Sequence, residues 1–356
     1  MTRKIILHIG GHKTGSSAQQ VWFAANAKTL RDQANLLYPS HVTGPHGNCM
    51  RIIDAWVKPQ HDWTVVDASR MSDFVEMVES DTDRDILVSA EVLSQAQVQD
   101  KIFRIRDDIL EAGFAPTSVL FVRNQIDQQS SLYAQRAKML NITEPFSTAI
   151  RSVVNMDRAD WWRIYSNYRD LGLNPIVGAY RRKDRMPVVE SFFDLTGYRE
   201  RFDAAVDFTV DTRNPSIGEF GVLIGVHVRQ ALDDMGLELP HNGNVMFSRI
   251  ILSVCAEHGD TRYIGPNVED RAYLRDRYSA GNQEIARLLP DDEAKLLLTD
   301  TLPDGPVSPR SPSELDARGR AKLVEMFEDC RARMLADDEL GKYLPRAQIA
   351  AIPPIS

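Results

Sequence analysis

Between Gly10 and Ser17 the chain reads Gly-Gly-His-Lys-Thr-Gly-Ser-Ser, which gathers a lysine, three hydroxyls and three glycines in one short loop. Glycines let backbone amides come close to an oxyanion, and a helix N-terminus directs unsatisfied N–H groups at it. Lys13 adds a mobile positive charge. Phosphate or sulfate chemistry is the reading these residues carry. A second anion-binding element follows downstream. Arg123 ends the apolar run Thr117–Val122, and Ser131 stands eight residues later. An arginine with a nearby hydroxyl grips a phosphate dianion through charge-assisted hydrogen bonds. Three residues are candidates for a general base. Glu91, in Ser89-Ala90-Glu91 after an apolar run, comes first; His46, in Gly44-Pro45-His46-Gly47-Asn48, comes second; His12, inside the loop, comes third.

The elements that must position these groups alternate in type. Ile5–Ile9 reads as a buried strand feeding the loop, and a helix is expected from Ser17 to about Gln33. Asp85–Ser89, Thr117–Arg123 and Pro175–Tyr180 read as further strands, with a short one at Trp63–Asp67. Helices are expected around Phe74–Val78, from Asp127 to Leu140 and from Arg158 to Leu171. Short apolar strands between amphipathic helices imply a parallel sheet covered on both faces, an α/β fold of three layers. Ligands in such sheets bind at the carboxyl ends of strands, so Arg123 belongs on the rim that carries the Gly10–Ser17 loop. After about Pro215 the pattern turns helical: Gly218–Met235, Val245–Glu257 and Val268–Leu288. An α/β domain is therefore expected over residues 1–300. A proline-rich linker follows at 301–312, then a C-terminal helix and loosely ordered tail at 313–356.

Spacing separates this loop from a nucleoside-triphosphatase loop. A Walker A motif puts lysine directly after its second glycine. Here Gly10 and Gly15 keep the glycine spacing, but Lys13 lies two places before Gly15. The loop is P-loop-like, and it resembles the 5′-phosphosulfate loop of the sulfotransferases that use 3′-phosphoadenosine 5′-phosphosulfate (PAPS). In that family a K-[ST]-G-[ST]-[ST] core follows the first strand. The Arg123…Ser131 spacing is similar to the family's pair for the 3′-phosphate. Ser89-Ala90-Glu91 looks like an element of its bacterial carbohydrate-type members, as do Pro175–Tyr198, Asn214-Pro215-Ser216 and Asn282.

The resemblance implies sulfuryl transfer from PAPS to a hydroxyl, on a carbohydrate or glycolipid, by in-line displacement without a metal, leaving the bisphosphate PAP. Gly11, His12, Lys13, Thr14, Gly15, Ser16 and Ser17 would hold the 5′-phosphosulfate, Lys13 would stabilise the charge growing on the bridging oxygen, and Arg123 and Ser131 would hold the 3′-phosphate. A P-loop kinase-like phosphotransferase is the alternative. It needs magnesium, normally held by an acid at the end of a second strand, whereas Val119–Val122 and Ile86–Val88 run into Arg123 and Ser89. A catalytically silent PAP- or nucleotide-binding protein is the third reading.

Composition bounds the remaining classes. A net charge of −8 argues against broad nucleic-acid binding. Three scattered cysteines, without a C-x-x-C pair, argue against a disulfide framework or zinc cluster and suit a reducing compartment. Ile5–Ile9 is too short for a signal-peptide core, and no apolar stretch is long enough to span a bilayer, so a cytoplasmic location is expected. His8, inside the first strand, reads as a core histidine. Trp161, Trp162, Tyr165 and Tyr168, at helical spacing, read as core rather than a sugar platform. The Arg181-Arg182-Lys183…Arg185 run reads as a solvated face, with an acidic glycan as its other use.

Overall fold

The computed structural model describes residues 2–41, 43–50, 52–53, 76, 80, 83–95, 102–152, 157–180, 187–210, 216–260, 262–300 and 307–355. The expected strand at Trp63–Asp67, the Phe74–Val78 helix apart from Glu76, the 181–185 basic run, and Asn214 and Pro215 lie outside them. The chain forms two compact units, one of residues 1–128, 153–212 and 276–300, the other of 129–152, 213–275 and 301–356.

The first unit is α/β. Its sheet has five strands, β1 (Lys4–His8), β2 (Leu36–Leu37), β3 (Asp85–Ser89), β4 (Ala115–Val122) and β5 (Pro175–Ala179), in the order β2-β3-β1-β4-β5. Every pairing is parallel. β1 is central, with Ile6 beside Leu87 of β3 and Thr117 of β4. Strands covered on both faces must be apolar throughout, and Ile5, Ile6, Leu7, Ile86, Leu87, Val88 and Val119–Val122 are all buried. After β3 the chain crosses to the other side of β1, so the strand order reverses there. Loops after β1, β3 and β4 consequently meet at one switch point, the customary ligand crevice of an open parallel sheet.

Two sequence expectations about this unit need adjusting. The single helix expected from Ser17 to Gln33 is two helices, α1 (Ser16–Ala25) and Ala27–Ala34. The break falls at Asn26, whose backbone leaves helical geometry at φ −109° and ψ 23° and whose side-chain amide donates to the Trp22 carbonyl. The helix expected over Arg158–Leu171 runs from Trp161 to Asp170, capped by the Asp160 carboxylate, which accepts from the Arg163 N–H. Its aromatics divide by face. Trp161 and Tyr168 are buried as expected, while Trp162 and Tyr165 are half-buried and stacked under the Arg169 guanidinium.

The second unit is helical, with Glu219–Asp234, His241–Glu257 and Ala317–Ala336 as its longest helices. The Gln125–Lys138 and Val268–Ala286 helices each run from one unit into the other. The tail is not loose. Helices at Asp338–Gly341 and Arg346–Ala350 lead to buried Ile352 and Ile355, and His227 hydrogen-bonds the Pro353 carbonyl. The described part of the proline-rich stretch is also pinned. Ser308 is buried and exchanges hydrogen bonds with Ile264 through its backbone N–H and its hydroxyl. The Ser308 hydrogen bonds in this stretch and the buried isoleucines beside the prolines of the tail supply this anchoring, which composition alone does not reveal.

Candidate active site at the tips of three parallel strands

The loop after β1 is built by backbone demands that few residues meet. Gly10, Lys13 and Gly15 all have left-handed backbones, at φ 57°, 66° and 88°. Gly11 lies just past the carboxyl end of the central strand. A Cβ there would sit 2.7 Å from the Phe121 carbonyl and 2.9 Å from the Trp161 ring. Thr14 closes the turn by accepting from the Gly11 N–H at 3.0 Å and donating to the Gly11 carbonyl at 2.7 Å. α1 begins directly after Gly15, so the first-turn amides of Ser16 and Ser17 open toward the loop, while the Ala18 N–H donates to the Gly15 carbonyl at 3.0 Å. Gly11→Ala must displace main chain rather than a flexible side chain. The expected cost is about 1–3 kcal/mol, read as a lower Tm, and an unchanged Tm would show that the loop floor tolerates the methyl group.

Arg123, the first residue after β4, reaches this loop. Its Nη1 donates to the Lys13 carbonyl at 3.0 Å, and its guanidinium lies 5.3 Å from the Tyr180 ring centroid. The Arg123 carbonyl accepts from the Trp161 indole N–H at 2.8 Å. Arg123 thereby holds the carbonyl of a residue in a strained conformation, a structural duty added to any role in ligand binding. Ser131 is half-buried on the Gln125–Lys138 helix, in the stretch that belongs to the second unit.

Glu91 lies two residues beyond β3 and opens a 3-10 helix, Glu91–Ser94. The Ser16 and Ser17 hydroxyls favour its charged form, and the Ser16 hydroxyl donates to the Gly11 carbonyl at 3.3 Å. Burial pushes its pKa above the usual carboxylate range, against the opposing pull of Lys13 and the two hydroxyls. A quarter of the side chain still meets solvent, which limits that rise. His12 lies beside it, with Nδ1 3.7 Å from Glu91 Oε2. Gln95 Nε2 stands 3.4 Å from His12 Nε2, and Gln128 Nε2 donates to the His12 carbonyl at 3.1 Å. Burial first, then the charges of Arg158 and Lys13, lower the His12 pKa to about 4. The imidazole is therefore neutral near pH 7. An amide donor at Nε2 leaves its proton on Nδ1, facing Glu91, although 3.7 Å is beyond hydrogen-bond reach.

His46 is separate from this cluster. It is exposed, at φ 62°, on the Pro45–Gly47 turn against α1, and among the described residues no hydrogen bond joins it to the loop. His8 is a core residue. It is wholly buried, 2.7 Å from the Ser89 hydroxyl and edge-on to Phe23, Phe121 and Phe192.

The structure adds residues that motif reading passed over. Arg158 precedes the Trp161–Asp170 helix and acts electrostatically on His12. Gln95, Gln128, Trp161 and Tyr180 tie loop, β4 and β5 together through the contacts above. Asn282, read from the sequence only as a family-like position, exchanges two 2.8 Å hydrogen bonds with Gln125, whose amide also donates to the Ala159 carbonyl at 3.1 Å. No spacing rule predicts these, since they meet only after the sheet forms.

Elsewhere, a cavity of about 520 Å³ in the second unit is lined by Arg136, Asn141, Glu144, Arg229 and Asp233 among others, and includes none of the sequence-predicted site residues. All three cysteines are buried free thiols. Among the described residues no group of three or more His, Cys, Asp or Glu could hold a metal ion, and no helix is long and apolar enough to cross a membrane. No known protein family, curated protein or solved structure matches this chain.

Proposed function

We propose that this chain is a sulfotransferase that moves a sulfuryl group from PAPS to a hydroxyl acceptor of the carbohydrate or glycolipid class. One observation carries the reading: the Arg123 guanidinium bonds the Lys13 carbonyl, so two anion-binding groups from separate strand tips stand together at the switch point of the sheet. A donor with phosphates at both the 3′ and 5′ positions needs such a pair. The 5′-phosphosulfate would lie against the α1 amides, with Lys13 on the bridging oxygen where charge grows as PAP leaves. Arg123 would take the 3′-phosphate. Glu91 or neutral His12 would accept the acceptor proton.

A second reading has a specific observation behind it. Glu91, whose charged form the Ser16 and Ser17 hydroxyls favour, supplies a carboxylate beside loop hydroxyls two residues past a neighbouring strand. Those oxygens are the kind that a magnesium–nucleotide complex uses, and they support phosphoryl transfer as the alternative.

Titration calorimetry with PAP, 5′-AMP, and ATP with and without magnesium separates the readings. The sulfotransferase reading expects PAP to bind tighter than 5′-AMP by about 10- to 100-fold, the worth of one well-made charged contact. Arg123→Ala should abolish that preference while 5′-AMP still binds. If Arg123 only braces the loop, both ligands weaken together. Magnesium-dependent ATP binding stronger than PAP binding would instead establish the phosphotransferase.

A further inference from the structure

The cavity of about 520 Å³ in the second unit is built from residues that carry no motif. Beyond the Gln125–Lys138 helix, Leu140 turns left-handed at φ 51°, and the Asn141 N–H donates back to the Arg136 carbonyl at 2.8 Å. The residues that follow are held against the helix they leave. The Arg136 guanidinium donates to the Asn141 carbonyl at 3.2 Å, and the Tyr133 hydroxyl donates to the Glu144 carbonyl at 2.9 Å. The Glu219–Asp234 helix forms another wall, packed so closely at Gly225 that a Cβ there would collide with the Ala137 carbonyl. Asn244, in the first turns of the His241–Glu257 helix, completes the lining.

Two ion pairs stand on this lining. Arg136 Nη1 lies 3.7 Å from Glu144 Oε1, and the Arg229 guanidinium pairs with the Asp233 carboxylate one helical turn on. A charged ligand must break one of these pairs or leave its own charge uncompensated. Hydroxyls both donate and accept, so a hydroxyl-rich molecule bonds to both members of a pair without separating them. Buried Leu140, Ile142 and Leu239 supply apolar lining for carbon-bound hydrogens. Among the described residues no aromatic side chain lines the cavity, so a flat ring has nothing to stack on. Asn244 points to an occupant. It is only 8% exposed, and its Oδ1 is buried with no hydrogen-bond partner among the described residues. An unpaired buried oxygen costs stability, and a donor that enters the cavity removes the cost. We propose that this cavity binds a neutral, hydroxyl-rich molecule of mono- or disaccharide size, with one hydroxyl donating to Asn244 and others shared between the members of the two ion pairs. The volume lies within the range of about 300–1,000 Å³ usual for small-molecule sites. The site is made of second-unit residues alone and does not rest on the sulfotransferase reading.

Calorimetry and saturation-transfer NMR on the full chain test this with D-glucose, D-galactose, D-mannose, myo-inositol and sucrose, against glutamate and spermidine as charged probes. At least one neutral probe is expected to bind, and more tightly than either charged one. Asn244→Leu keeps the size of the side chain and removes the unpaired oxygen. It should weaken the neutral probe about 10-fold, the worth of one hydrogen bond, with Tm unchanged or raised. Asp233→Asn breaks a solvent-facing pair, so it should weaken the same probe with little change in Tm. Lys13→Ala, which disables the loop after β1, should keep the wild-type affinity for that probe. Failure of every neutral probe would leave Asn244 facing water alone and overturn the proposal. Tighter binding of glutamate or spermidine would overturn the ligand class. Affinity retained in Asn244→Leu, or lost in Lys13→Ala, would place the sugar elsewhere and overturn the site. Should Asn244→Leu fail to fold, unchanged affinity in Asp233→Asn is the overturning result.

Discussion

Glu91→Gln is expected to lower turnover by about 10²- to 10⁴-fold, the usual worth of general-base catalysis, while raising stability at neutral pH. Both effects follow from one environment. Burial withdraws the carboxylate from water and raises its pKa, against the opposing pull of Lys13 and the two loop hydroxyls. The native state then binds more protons than the unfolded chain between the ordinary carboxylate value and the raised one. Stability is greatest below that window and is lost as pH rises through it. At pH 7 the charged form is the costly one, and a neutral amide of the same shape removes that cost. Loss of activity with a gain in Tm is the pattern of a functional group placed at the expense of stability. Turnover with saturating donor and a thermal melt at pH 7 suffice to see it. Turnover within a few-fold of wild type would remove Glu91 as the base, and a variant both inactive and less stable would make it a structural clamp. The pH profile discriminates further. With Glu91 as base, kcat/KM rises with pH through a value above the ordinary carboxylate range and the limb vanishes in Glu91→Gln, whereas with His12 the limb lies near 4 and survives that change.

Much of the site was legible because its chemistry is local in sequence. Gly10–Ser17 must be one loop wherever the strand before it goes, and the apolar runs ending at Ser89 and Val122 leave Glu91 and Arg123 at strand tips by periodicity alone. That β1, β3 and β4 are neighbours depends on pairing across the sheet, and composition cannot state the order. This long-range pairing brings Arg123 onto Lys13 and Glu91 onto Ser16 and Ser17. It also produces what the sequence reading underweighted. A kinase-like acid was sought at the last residue of a strand, yet Glu91 returns to the loop from two residues past β3. The two-residue strand β2 was missed because Leu36 and Leu37 have too short a pattern to show a period. His46, the second candidate base, stands instead in a turn packed on α1: a Cβ at Gly47 would collide with the Gln20 carbonyl.

Acidification from pH 7 toward 5 is expected to destabilise the protein steeply, well before most carboxylates titrate, because of His8. Its ring fills a slot among Phe23, Phe121 and Phe192 under the central strand, and burial alone lowers its pKa to about 3. The unfolded chain protonates this histidine near 6.5 while the folded chain does not. The stabilising contribution of neutral His8 is therefore present in full above 6.5 and is lost as pH falls toward 3. The slope approaches ~1.4 kcal/mol per pH unit for each such histidine, and His12, lowered to about 4, adds a second contribution over most of the same interval. Glu91 works in the opposite sense where it titrates, which makes its replacement a useful background. Denaturant unfolding at half-unit steps between pH 7 and 5 measures the slope. In His8→Phe, whose ring suits the aromatic slot, about half of the slope should disappear. The Ser89 hydroxyl, left without its 2.7 Å partner, should lower stability by a roughly pH-independent amount. Parallel curves for variant and wild type would mean that the slot opens to water readily enough for His8 to charge in place. The rigidity of the strand that delivers Gly10 and Lys13 to the site would then have to come from elsewhere in the sheet.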